Sequence, residues 1–195
     1  MMSLKHQKIM RNFKIIFTSV IAGIFFTFQI PAQITNAVAT EIENFELQTN
    51  TIIVKAFNPI GTVSVGNASI SVHVKESSDI THAQKMYGVA VGFSGVAEEI
   101  PKFFFVVDYD ELDSFSNAID FVGKVNSDVT SLPAFEASYA TKSGLRVIAH
   151  SDRRNGGITN FIQFGNWPRI SLTSIQLAQL RTFIVQAKTS LDALK

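Results

Sequence analysis

Four carboxylates crowd one short stretch of the chain: Asp108, Asp110, Glu111 and Asp113. A hard cation such as Ca²⁺ wants several such oxygens. The run lacks the glycine and the distal Glu of an EF-hand loop, however, and it stands just before a helical pattern. Acids in a first helical turn compensate the positive end of the helix, and that role is expected here. His73, His82 and His150 form no HExxH or other close ligand pair, so no metal is expected. Serines are abundant but no G-x-S-x-G elbow occurs, and there is neither a P-loop nor a G-x-G-x-x-G. Gly92-Phe93-Ser94-Gly95 and Gly156-Gly157 read as turns. The chain has no Cys, which excludes disulfides, thiolate metal sites and thiol nucleophiles. No cofactor and no catalytic residue is expected.

Aromatic side chains are the other chemical resource. Phe103, Phe104 and Phe105 are consecutive, so in a strand they alternate between faces and at least one turns away from the main core. Phe103, Phe105, Phe161 and Trp167 are the candidate surface for a ligand or partner. Asn67-Ala68-Ser69 matches a glycosylation sequon but is expected to be a turn.

The elements that must position these residues are legible from apolar period. Leu112, Phe115, Ile119 and Val122 mark one face of a helix over 110–125. Leu177, Leu180, Ile184, Ala187, Leu191 and Leu194 mark a second over 174–194. Strands rich in Val, Ile, Phe and Thr are expected at 45–57, 62–75, 86–93 and 102–107, then at 135–141, 145–150, 158–164 and 169–172. Asn58-Pro59 and Gly61 are expected to break the first pair. Lys142-Ser143-Gly144 and Arg154-Asn155-Gly156-Gly157 are expected to close hairpins, and Pro133 to open the second half after a polar linker.

At a fixed offset of 65 the two halves superimpose: Leu112 on Leu177, Phe115 on Leu180, Ile119 on Ile184, Phe105 on Ile170 and Val107 on Leu172. Asp108-x-x-Glu111 falls on Thr173-x-x-Gln176, both capping-box spacings. The fold class expected is therefore α+β, a duplicated β-β-β-β-α unit with residues 40–126 as one copy and 127–195 as the other. Four strands and one helix cannot bury all their apolar faces alone, so the two sheets should pack together, with two amphipathic helices, into one compact domain. Free sheet edges in such a repeat also make a homodimer possible.

The closing run from Arg169 through Ile170-Ser171-Leu172-Thr173 to Leu180 resembles the end of the positive-cofactor-four transcriptional coactivators. Two β-β-β-β-α units in one chain resemble the Whirly single-stranded-DNA-binding fold. The resemblance implies that fold and, as an alternative function, single-stranded nucleic-acid binding, for which Arg153 and Arg154 are the clustered bases. The chain is otherwise similar to exported bacterial proteins of unassigned activity.

Charge argues about address. Residues 1–39 hold Lys5, Lys8, Arg11 and Lys14 and no acid. An apolar run from Ile15 to Ile30 follows, then Ala37-Val38-Ala39. This is the order of a secretory signal peptide. An uncleaved leader would instead be a membrane anchor, although the run is short for a spanning helix of about 20 residues. Removing residues 1–39 leaves 13 bases against 16 acids, a net charge of −3. Phosphate neutralisation drives nucleic-acid binding, so an acidic domain makes that partner unexpected. The reading is a periplasmic or secreted, non-enzymatic binding module for an unknown protein or small molecule, without a membrane span after cleavage. An exported hydrolase with a triad assembled from distant segments is a further alternative.

Overall fold

The computed structural model describes residues 39–95, 103–152 and 157–195, which all belong to one compact unit. The order is α1 (Glu41–Glu46), β1 (Ile53–Val65), β2 (Ala68–Asp79), β3 (Gln84–Ser94), β4 (Phe103–Asp108), α2 (Leu112–Lys124), β5 (Ala134–Ala140), β6 (Leu145–Asp152), β7 (Gly157–Phe164), β8 (Ile170–Leu172) and α3 (Ser174–Asp192). Strands β1-β2-β3-β4 form one antiparallel sheet and β5-β6-β7-β8 a second. The chain is thus α+β and built from a repeated β-β-β-β-α unit. Among the described residues no helix is long and apolar enough to cross a membrane.

The expected helical stripes are the buried ones. Leu112, Phe115, Ile119 and Val122 of α2, and Leu177, Leu180, Ile184, Ala187 and Leu191 of α3, share one core with the inner faces of both sheets. Each fully buried Leu or Ile there contributes about 1.5–3 kcal/mol. Leu194 is the exception: α3 ends at Asp192, and Leu194 lies beyond it, 54% exposed. The sheets meet through Phe93, Phe105 and Phe164, whose ring centroids lie 3.5 Å (Phe93–Phe164) and 4.7 Å (Phe105–Phe164) apart.

The helices are exchanged between the repeats. α2, which follows the first sheet, packs on β5 and β6, whereas α3, which follows the second, packs on β1, β2 and β3. The two helices run antiparallel, with Asp120 beside Arg181 and Asp113 beside Lys188. The exchange explains Gly61. A Cβ there would stand 2.5 Å from the Phe183 ring of α3, so any side chain would force that ring of the second repeat's helix to shift.

Three local expectations are overturned. The segment expected as the start of a strand at 45 instead contains the end of α1, whose Thr40 and Glu43 form a reciprocal capping box and whose Ile42 and Phe45 are buried. Pro59 and Gly61 do not end a strand. β1 runs through them with a register shift between the two, which an edge strand tolerates because Pro need not donate to a neighbour there. The turn falls at Gly66-Asn67, where Gly66 has φ 57°, so residues 62–65 belong to β1 and the strand expected at 62–75 is split. Finally, Asp108 makes no capping bond to the turn that opens α2, while Thr173 caps α3 fully.

Candidate functional site

The outer face of the first sheet is built on missing side chains. In β3, Gly88, Ala90 and Gly92 alternate onto that face, opposite Lys75, His73 and Ser71 of β2. With no side chain beyond the Ala90 methyl, they let covering groups lie directly on the sheet, and all three are buried. α1 packs against β2, β3 and β4 at one end of this face, with Ile42 and Phe45 buried beneath it. Phe104 of β4 lies over the other end. A Cβ on Gly92 would come within 2.7 Å of its ring, so the glycine lets the ring lie down across β3.

α1 is held by charge at both ends. At its start Asp108, itself buried, accepts hydrogen bonds from the backbone N–H of Glu41 (2.8 Å) and of Ile42 (3.2 Å). At its end Glu46 is paired with Lys55 and Lys75, both at 2.6 Å, and accepts from the Ser77 hydroxyl. Burial opposes ionisation of Glu46, but the bonds from Lys55, Lys75 and Ser77 outweigh it and hold the carboxyl below its usual range.

Beyond α1 the face carries an aromatic cluster. Phe57 reaches in from β1 and Phe104 from β4, with centroids 6.1 Å apart, and the His73 ring meets Phe104 edge-on at 5.5 Å. Phe57 is 50% and Phe104 47% exposed. Burial pushes the His73 pKa down, so the ring is neutral near pH 7. Lys75 lies 5.8 Å from the Phe57 ring centroid, but its ammonium is committed to Glu46. Ser69 and Ser94 join their hydroxyls at 2.7 Å farther along the same face. The result is an exposed patch of uncharged rings, with the Ser69–Ser94 hydroxyl pair on one side and the Lys55–Lys75–Glu46 cluster on the other.

The second sheet has a different outer face. Glu136 of β5 sits 2.9 Å from Arg169, 3.8 Å from Arg146 and 3.9 Å from His150. The Arg169 guanidinium lies over the Phe161 ring at 5.9 Å. The two arginines and Phe161 form a mixed, salt-bridged surface.

Of the candidate surface residues, Phe161 therefore faces outward on the second sheet beneath Arg169. Trp167, 39% exposed, sits in the β7–β8 turn with its carbonyl accepting from Gln163. Phe105 turns the other way, into the core against Phe164. Phe103 occupies a register position opposite Phe93, and its side chain lies outside the described residues. Arg153 and Arg154 also lie outside them, as does the expected hairpin turn there. The residue of the Phe103–Phe105 run that faces outward is Phe104. Phe57 and His73 carried no sequence signal of their own; they join it only through strand register.

The acid cluster is dispersed over several tasks. Asp108 caps α1, Glu111 accepts from the Lys142 backbone N–H, and Asp113 pairs with Lys188. Glu41, Asp108 and Asp110 form the one group of three metal-type ligands among the described residues. The Lys142 ammonium sits within 3.0 Å of Asp110, 3.4 Å of Asp108 and 3.6 Å of Glu41. Its hydrogen bond to Asp110 and the neighbouring carboxylates push the Lys142 pKa up, so the resident cation of this cluster is a lysine. The buried Asp79 accepts from the Thr81 and His82 amides and from His82 Nδ1 at 2.6 Å, which locks the β2–β3 turn.

No family model matches this sequence, and no curated protein matches it.

Proposed function

We propose that the protein is an exported, non-enzymatic binding module, and that its binding surface is the Phe57–His73–Phe104 patch. The observation that carries the reading is two half-exposed rings packed with an uncharged His73, bordered on one side by the Ser69–Ser94 hydroxyl pair. Such a surface suits a neutral ligand or partner that presents an apolar or aromatic face of its own. The basic leader-like start, with Ala37-Val38-Ala39 just before α1, supports export to the periplasm or beyond.

The single-stranded nucleic-acid reading would use the second sheet instead, where Arg146 and Arg169 adjoin Phe161. Both arginines share the single Glu136, so the pair keeps one net positive charge, half of what two unpaired arginines would offer phosphates.

Two measurements test the proposal. The full chain is expressed with its own leader, the cells are fractionated, and the product is weighed; a periplasmic or secreted species lacking residues 1–39 supports export, and a cytoplasmic full-length species refutes it. The nitrogen-labelled protein is then titrated with p-cresol and, separately, with oligothymidylate. Amide shifts at 57, 73 and 104 with p-cresol, lost in Phe57→Ala/Phe104→Ala, are the expected result. Shifts at 146, 161 and 169 with oligothymidylate would transfer the function to the other face.

A further inference from the structure

The four sheet edges are not equally protected. Natural edge strands avoid self-pairing by being short, by Pro, Lys and bulges, or by cover. β1 has Lys55, Pro59 and a register shift, β8 is three residues long, and β4 lies against α1. β5 is packed by α2 on the inner face of its sheet, but it has no Pro, Lys or bulge of its own along the edge. It is seven residues long, pairs with β6 without interruption, and has no strand on its other side among the described residues.

Its sequence, Ala134-Phe135-Glu136-Ala137-Ser138-Tyr139-Ala140, reads nearly the same in both directions about Ala137. Antiparallel pairing with an identical strand, centred there, sets Ala134 against the partner's Ala140, Phe135 against the partner's Tyr139, and Glu136 against the partner's Ser138. Both aromatic pairs fall on the inner face, where cross-strand aromatic neighbours stabilise a sheet. Tyr139 is already oriented for this, stacked on Phe115 of α2 with centroids 6.2 Å apart. The one charge on the strand does not obstruct the seam, because Glu136 is neutralised within its own protomer by Arg169, and Ser138 is held by Arg146 at 3.0 Å.

We propose that β5 pairs with β5 of a second copy about a two-fold axis through Ala137, joining the second sheets of two protomers into one continuous eight-stranded sheet. Such an interface is isologous, the same patch meeting itself. It uses different residues from the aromatic patch, and either assignment can stand or fall without the other.

The absence of cysteine gives a clean test. In full-length protein, Ala137→Cys places two thiols directly opposite each other, within the Cα separation a disulfide needs, while Ala134→Cys places its pair several residues apart. Under mild oxidation the first variant should become a covalent dimer and the second should not. Sedimentation should show a wild-type dimer. Ala134→Lys/Ala140→Lys, which opposes like charges twice at exposed positions, should raise its dissociation constant roughly tenfold or more, and Ala134→Lys/Ala140→Glu should restore it. Circular dichroism on each variant confirms the protomer fold. A wild-type chain that sediments as a monomer at every concentration, or equal cross-linking at 134 and 137, would overturn the proposal.

Discussion

The outer faces of the two sheets descend from the same repeated unit and have been finished in opposite ways. The first sheet has Gly88, Ala90 and Gly92 along β3, and the space they leave is taken by α1 and by the ring of Phe104. The corresponding third strand of the second sheet, β7, points Phe161 and Gln163 outward under an arginine–glutamate network. The helix starts diverge in step. Thr173 spends its hydroxyl on its own helix α3, whereas Asp108 at the equivalent position turns away from α2 and caps α1. Bare sheet invites an apolar cover, and a cover needs anchors. The residue that anchors α1 is the one the second repeat uses for its own helix.

That difference can be broken from the anchor side first. Asp108→Ala removes a buried acceptor from two backbone N–H groups and from Lys142, and should cost about 3 kcal/mol in urea denaturation. Thr173→Ala, the matching change in the other repeat, loses only an exposed cap and should cost about 1 kcal/mol. Hydrogen exchange should show residues 41–46 opening in the first variant and staying protected in the second. Equal costs would mean that Asp108 is only a local cap like its counterpart.

Crowding Gly92 should come next in size. Gly92→Val drives a side chain into the Phe104 ring and should cost about 2 kcal/mol by overpacking, with the amide shifts of Phe104 and His73 displaced. A silent substitution would mean that the ring does not lie across β3.

A smaller effect is expected from acid. The carboxyl of Glu46 has a lower pKa in the folded protein than its ordinary value of 4.5. Its stabilisation is therefore complete above pH 4.5 and disappears as pH falls below that value through the folded pKa. Protection factors at 41–46, with the intrinsic pH dependence of amide exchange divided out, should fall over that interval, and in Glu46→Gln that fall should be lost. Among the described residues the second sheet's outer face has no such carboxyl beneath a helix, so its amides serve as the internal control.

How far the sequence foretold this arrangement depends on distance along the chain. The 3-4 spacing of Leu112, Phe115, Ile119 and Val122, and its echo from Leu177 to Leu191, found both helices, because each stripe is a local pattern. The repeat followed from their common offset. α1 escaped because it is only six residues long: Ile42 and Phe45 stand at helical spacing and Thr40-x-x-Glu43 is a local capping box, but one apolar pair is too short a stripe to show a period, and its burial depends on a cover position on a distant sheet. Pro59 misled for the same reason: whether proline breaks a strand depends on whether that strand is at an edge, which is a tertiary fact. The exchange of helices left one trace, the requirement for Gly61. The aromatic patch left another, the alternation Gly88-x-Ala90-x-Gly92, which at a period of two clears one face of a strand. Phe57, His73 and Phe104 themselves are joined only by register across four strands.

The central claim is that the neutral aromatic face, and not the charged one, makes the contacts for which this protein is used. Its most direct test is to place a photo-reactive phenylalanine analogue at position 104 and, in a separate protein, at position 161, and to irradiate cells producing the full chain. A covalent adduct from position 104 and none from position 161 is the result expected. An adduct from position 161 with none from position 104 would contradict the account.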